Sequence, residues 1–87
     1  MEKVLKLPVN TNWYNLILSG ELTHDYREIK PFWTKRLEDK EYDIVEFYHR
    51  YKKDIPPIRY KFEWIKKGRF VNYDMDVYII KFGDRID

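Results

Sequence analysis

The chain contains no cysteine among its 87 residues. That excludes a disulfide scaffold, a thiol nucleophile and any zinc site built on thiolates. Glycine is scarce, three residues far apart, so no glycine-rich loop exists to cradle a phosphate. The two histidines, His24 and His49, stand among scattered carboxylates without the spacing of a metal motif. No metal and no cofactor are therefore expected. Apolar runs end after three or four residues, too short to span a bilayer. The opening residues, Met1 to Pro8, lack the apolar stretch of a secretory signal. The expectation is a soluble, cytoplasmic protein with no membrane partner. Neither sign of charge dominates: 17 Lys and Arg face 15 Asp and Glu, a net of +2.

Rings are what the chain has in excess. Eight Tyr, five Phe and three Trp make it 18% aromatic. That content supplies apolar area to offset chain entropy and argues against disorder. The length suits one small domain spanning 1–87, exposing roughly 5,600 Å² when folded. Without disulfides such a domain relies on its core, and large rings fill a core with few residues.

Val4-Leu5-Lys6-Leu7 predicts a short strand stopped by Pro8. A short helix over 11–19 follows. Asn10, Thr11 and Asn12 each offer a capping oxygen, and Trp13, Leu16 and Ile17 share one face. Gly20 is its natural stop. Residues 23–29 predict a second strand ended by Pro31, and 32–37 a loop or brief helical turn. Residues 42–49 predict a third strand with both faces partly covered, Val45 and Phe47 on one, Ile44 and Tyr48 on the other. Pro56-Pro57 excludes helix from the turn that follows. The clearest pattern is Ile58, Tyr60, Phe62 and Trp64 alternating with Arg59, Lys61 and Glu63. It predicts a period-2 strand with its rings in the interior. Lys66-Lys67-Gly68-Arg69 reads as a basic turn, and 77–82 as the last strand, before Gly83. The fold class is α+β. Five short strands with one or two short helices suggest a small β-barrel, closed or nearly so, because closure removes open sheet edges.

The stretch Ile17-Leu18-Ser19-Gly20-Glu21-Leu22-Thr23-His24-Asp25-Tyr26-Arg27 resembles the ASCH domain, a branch of the PUA-like superfamily. The family signature is Gly-x-Lys-x-x-Glu-x-Arg after a short helix. Gly20 and Arg27 match its two ends, and Asp25 stands conservatively at the Glu. Leu22 replaces the Lys, which is not conservative. The stretches from Glu28 to Leu37 and from Asp76 to Gly83 also look like segments of small phage and bacterial members. The resemblance thus covers nearly the whole chain. It implies a PUA-like β-barrel with a ligand cleft beside the first helix. It also implies roles linked to nucleic acid, from RNA binding to recognition of modified bases. Some members are amidohydrolases acting on N4-acetylcytidine, and others are described as ribonucleases.

The enzymatic members carry a Lys and a Thr in the signature stretch and a Glu later. In this chain Leu22 holds the Lys position and Asp25 falls where the Thr would align. The shortened chain lacks the later segment with the Glu. Leu22 cannot be the base that an activated Thr needs. Strand alternation sets Thr23, Asp25 and Arg27 on one face and His24 and Tyr26 on the other, so His24 and Asp25 do not act as a pair. No catalytic residue is assigned.

Between Arg27 and Arg69 there are 13 Lys or Arg against 8 Asp or Glu, and the flanks sum to −3. A local positive field is what phosphates feel. Most charge runs are solvated surface, but rings interleaved with cations stack on bases. Taken alone, Asp25 and Arg27 read as a same-face ion pair that steadies a strand; the resemblance makes them the floor of a cleft. The expected nucleic-acid-binding residues are therefore Asp25, Arg27, Lys30, Trp33, Lys35 and Arg36. Asp25 and Arg27 would read polar groups, Trp33 would stack, and Lys35 and Arg36 would hold phosphate. Tyr26 and Tyr51 are further rings left to face a ligand. The expected partner is RNA or a modified nucleotide. The rivals are a nucleoside amidohydrolase or nuclease with a reorganised site, and a protein-interaction module such as a phage factor that binds a host protein.

Overall fold

Strand β1 (Val4–Val9) turns at Asn10 into helix α1 (Thr11–Leu18). The Asn10 side chain caps the helix, its Oδ1 accepting from the Trp13 backbone N–H at 2.8 Å. Gly20 then takes a left-handed φ of 86°, which a side chain would disfavour, and turns the chain into strand β2 (His24–Glu28). Of the expected loop or brief helical turn, the structure shows the second, as helix α2 (Pro31–Leu37). Pro31 ends the strand and also opens the helix, since a first-turn residue needs no N–H partner. Strands β3 (Ile44–His49), β4 (Ile58–Phe70) and β5 (Met75–Arg85) complete an α+β fold of two helices and five strands. This computed structural model describes residues 2–86, with the backbone alone at Tyr73. Met1 and Asp87, the ends of the expected domain, lie outside the described residues.

The five strands form one mixed sheet in the order β1-β3-β4-β5-β2. β1 and β3 are parallel, from Val4 opposite Ile44 to Val9 opposite His49, and all other pairs are antiparallel. A parallel pair needs a long crossover, and α1, β2 and α2 supply it. β3 is buried on both faces, as its sequence predicts: Ile44, Val45, Glu46, Phe47 and His49 are all buried. Rings fill the core, where Phe47, Tyr60 and Phe82 pack with centroids 4.8–5.9 Å apart.

Three expectations are corrected. Lys66-Lys67-Gly68-Arg69 is not a turn but lies within β4, which runs for 13 residues. Gly68 is there because the Ile79 side chain crosses it: a Cβ on Gly68 would stand 2.6 Å from Ile79 Cδ1. The reversal comes later, in a 3-10 turn over Val71–Tyr73, with Asp74 left-handed at φ 48°. β5 is also long and runs through Gly83. Secondly, the β4 rings do not all face inward. Register shifts between Tyr60, Phe62 and Trp64 break the alternation. Tyr60 is buried, Phe62 only borders the core, and Ile65 takes the inward place beyond them, leaving Trp64 outside the cluster. Thirdly, the ladder does not close into a barrel, and β1 and β2 are its edge strands. A side chain spans part of the gap, for Arg27 Nη2 on β2 donates to the Pro8 carbonyl of β1 at 2.9 Å. Pro8 suits an edge, where it interrupts no ladder. The structure exposes 6114 Å².

Register sorts the β2-β5-β4 side of the sheet into two faces. One carries the rows Asp25–Ile80–Ile65 and Arg27–Tyr78–Lys67. Both helices meet this face. The Trp13 indole N–H of α1 donates to Asp25 Oδ1, and the Tyr78 hydroxyl bonds Thr34 Oγ1 of α2 and Glu38 Oε1 just beyond it. The other face carries the rows His24–Lys81–Trp64 and Tyr26–Ile79–Lys66. Among the described residues no helix is long and apolar enough to cross a membrane.

Candidate functional site

A cleft of 460 Å³ opens where the end of β1, the start of α1 and the edge of β2 converge. Its wall is built by a relay that begins at the helix cap. Asn10 fixes Trp13 in the first turn of α1. The Trp13 indole then donates to Asp25 Oδ1 at 2.8 Å, and Asp25 Oδ2 accepts from Arg27 Nε at 2.6 Å. Arg27 Nη2 continues to the Pro8 carbonyl, and its guanidinium lies 4.9 Å from the Trp33 ring centroid. Nη1 of Arg27 enters none of these bonds. On the opposite side stand Arg50 and Tyr51, the latter 77% exposed. Tyr26 and Phe70 complete the lining as a parallel stacked pair, 4.7 Å apart and 5° from coplanar.

His49 holds the Arg50–Tyr51 side in place. It is buried, and its Nδ1 accepts from the backbone N–H groups of Tyr51 (3.2 Å) and Lys52 (3.1 Å). With Nδ1 an acceptor, the ring proton sits on Nε2, which donates to Thr11 Oγ1 at 2.5 Å. One side chain thereby ties the loop after β3 to the start of α1.

The expected site residues are only partly brought together. Asp25 and Arg27 line the cleft, and Trp33 supports Arg27 from α2. Lys30 is exposed and pairs with Glu28 at 3.0 Å. Lys35 and Arg36 face a different groove, of 970 Å³, between the end of α2 and the middle of β4. Arg36 is also engaged, its Nη1 donating to the Phe32 carbonyl at 2.9 Å and its guanidinium 3.7 Å from the Phe32 ring centroid. The division follows from α2 being a helix, which carries Lys35 and Arg36 past Trp33 toward the second groove. Trp13 and Phe70 are cleft residues that sequence reasoning missed, and Arg50 was one basic candidate among many. The Asn10 cap was a legible signal for Trp13, and Arg50 lay among the counted basic residues beside the ring of Tyr51; nothing local marked Phe70.

Asp25 is only 1% exposed. Burial pushes its carboxyl above the ordinary aspartate value, and the Arg27 guanidinium and the Trp13 N–H pull it part of the way back. Both oxygens already accept a donor, and burial closes their remaining lone pairs to a substrate proton or a base amine. Its work is to orient Arg27. Arg27 and Arg50 outnumber this one carboxylate, which leaves the cleft one positive charge in excess. Nearby, Thr23 Oγ1 lies 2.9 Å from His24 Nδ1. Burial, then Lys81, holds His24 below the ordinary histidine value. Among the described residues no three His, Asp or Glu side chains converge as a metal site requires.

No protein-family model matches the chain, and neither do any curated proteins or solved structures.

Proposed function

We propose that the chain is a PUA-like module of the ASCH type that binds single-stranded nucleic acid, RNA foremost, with one nucleotide seated in the cleft beside α1. The composition of the cleft carries this reading: two guanidinium groups and the rings of Trp13, Tyr26, Tyr51 and Phe70 surround one carboxylate already paired with Arg27. Arg27, with Nη1 uncommitted, and Arg50 are the phosphate or base-edge donors, since a guanidinium offers planar paired N–H groups. Tyr51 is the exposed ring against which a base stacks, and such stacking tolerates any sequence. Asp25 positions Arg27 and does not touch the ligand. A nearly closed PUA-like arrangement belongs to the same proposal: the Arg27–Pro8 bond bridges the two edge strands that the ladder leaves apart. Recognition of a modified nucleotide would use the same rings and guanidinium groups.

The test is fluorescence anisotropy with a labelled single-stranded RNA decamer, at 50 and 200 mM salt. Tyr51→Ala should weaken binding by about 1–3 kcal/mol, or roughly 5- to 150-fold. Arg50→Ala should lower the slope of log affinity against log salt by about 0.7. Both residues are exposed, so neither change threatens the fold. If neither variant changes binding, or the wild-type chain binds no RNA at 50 mM salt, the reading is wrong. One observation supports a second reading, an enzyme: the Thr23 hydroxyl lies within hydrogen-bond reach of His24 Nδ1. Among the described residues no recorded hydrogen bond orients the other ring nitrogen of His24, so the dyad lacks a third member. Turnover of N4-acetylcytidine or cleavage of RNA, abolished by Thr23→Val, would favour that reading.

A further inference from the structure

We infer that the open face of β2-β5-β4 is a second contact surface for the same single strand, leading it out of the α1 cleft. The inference rests on the nucleic-acid reading of that cleft and extends it across the sheet. Register supplies the path. Tyr26, whose ring stacks on Phe70 in the cleft, sits in one cross-strand row with Ile79 and Lys66. The next row is His24, Lys81 and Trp64. Strands stand about 4.8 Å apart, so the rows carry a ligand roughly 10 Å from the cleft to β4. There Trp64 and Lys66 belong to the second groove. The open face thus runs from the rim of the cleft to the rim of the second groove, whose other walls lie on the helix side of the sheet.

The chemistry of the face suits phosphates and bases. Both helices meet the opposite face, through Asp25 and Tyr78. On the open face Lys66 is exposed and Lys81 half-buried, and neither makes an ion pair among the described residues. The Lys66 ammonium lies 4.6 Å from the Trp64 ring centroid, held there by attraction to the ring face. His24 meets the edge of Trp64 at 5.7 Å. Glu28, the carboxylate at the rim of this face, is already paired with Lys30. Glu63 lies over Gly83, two residues from Lys81 on the same side of β5, but pairs with neither lysine among the described residues. Two ammonium groups beside flat rings match an alternation of phosphate and base, the pattern of single-strand binding surfaces.

The experiment compares a labelled single-stranded RNA trimer, long enough for the cleft alone, with a decamer. The proteins are the wild-type chain, Lys66→Ala/Lys81→Ala, and Arg50→Ala/Tyr51→Ala. Circular dichroism verifies that each variant folds. Removing both lysines should lower the decamer's salt slope by about 1.4. Between 50 and 200 mM salt the wild-type chain should therefore lose about sevenfold more decamer affinity than this variant. Trimer binding should change less than twofold. Equal losses for trimer and decamer, or no loss for either, would overturn the inference. So would equally effective competition by poly-glutamate, which would make the face an acidic-peptide site. The two readings fail separately. If the trimer binds nothing while the decamer depends on Lys66 and Lys81, the cleft reading fails and the surface stands. If the trimer binds through Arg50 and Tyr51 and the lysines are inert, the reverse holds.

Discussion

Replacing Arg27 by methionine would leave Asp25 with a buried charge and a single donor. The carboxylate is 1% exposed, and its partners are Arg27 Nε at 2.6 Å and Trp13 Nε1 at 2.8 Å. Breaking a buried pair by removing one partner costs about 3–5 kcal/mol, because the remaining charge stays out of water. The same change removes the bond to the Pro8 carbonyl that links the sheet edges. An 87-residue domain has about 4–13 kcal/mol of stability in all, so Arg27→Met should remove about a quarter of it or more at pH 7. Urea denaturation followed by tryptophan fluorescence measures the loss. The pH dependence identifies its cause. Burial raises the Asp25 carboxyl and Arg27 opposes the rise, so without Arg27 the folded value climbs further above the unfolded one. Between the two values the native state holds more protons than the unfolded state, and stability falls as pH rises. The deficit of Arg27→Met should therefore shrink on acidification from pH 7 toward pH 4, where Asp25 becomes neutral. Adding Asp25→Asn removes the charge but keeps an acceptor for Trp13, and should recover more than half of the loss at pH 7. A deficit below about 1 kcal/mol, one that ignores pH, or a double variant as unstable as the single would refute the reasoning.

Three other outcomes follow from the same contacts. His49→Leu strands the backbone N–H groups of Tyr51 and Lys52; the two amides should exchange hydrogen faster, with a stability loss of about 1–3 kcal/mol, and unchanged exchange rates would count against the assigned tautomer. Gly68→Ala sets a Cβ against Ile79 Cδ1, the far end of a side chain that can turn aside, and should cost about 0.5–1.5 kcal/mol, much of it returned by adding Ile79→Val, as a double-mutant cycle would read. The Glu38 carboxyl is held below its ordinary value chiefly by the Lys67 ammonium, against the opposing effect of burial and with a lesser pull from the Tyr78 hydroxyl; its pairing is present at neutral pH and lost as pH falls through that lowered value. In Lys67→Ala, NMR titration should show Glu38 moving up toward the ordinary glutamate value, and no movement would dismiss the pair.

The elements were legible where the signal was local. The Asn10 cap, the Gly20 stop and the breaks at Pro31 and Pro56-Pro57 depend on backbone chemistry within a few residues, and each fell close to its place. Reading Gly68 as a turn failed because glycine serves two needs. Here it relieves crowding from Ile79 on a neighbouring strand, a contact that the sequence of β4 does not record. The β4 alternation misled beyond Tyr60 because bulges reset which residues face inward, and bulges are settled by the partner strand. The candidate site divided for a similar reason. Asp25 and Arg27, two residues apart on a strand, had to share a face, whereas Lys35 and Arg36 were carried to the other groove once 31–37 became helical.

By itself the sequence determined the composition of the problem: a ring-rich chain without cysteine, able to fill a small α+β core, with a positive excess between Arg27 and Arg69. It also determined that Asp25 and Arg27 would meet, because a period of two requires it. Tertiary structure decided what that meeting is for. Only the packing of α1 on β2 buries Asp25 under Trp13, which turns a proposed ligand contact into the support of Arg27. Only the strand order β1-β3-β4-β5-β2 sets Pro8 beside Arg27 and aligns Tyr26 with Lys66 across three strands. Local chemistry selects helix, strand and turn, but the neighbour of a side chain is chosen by residues far away in sequence.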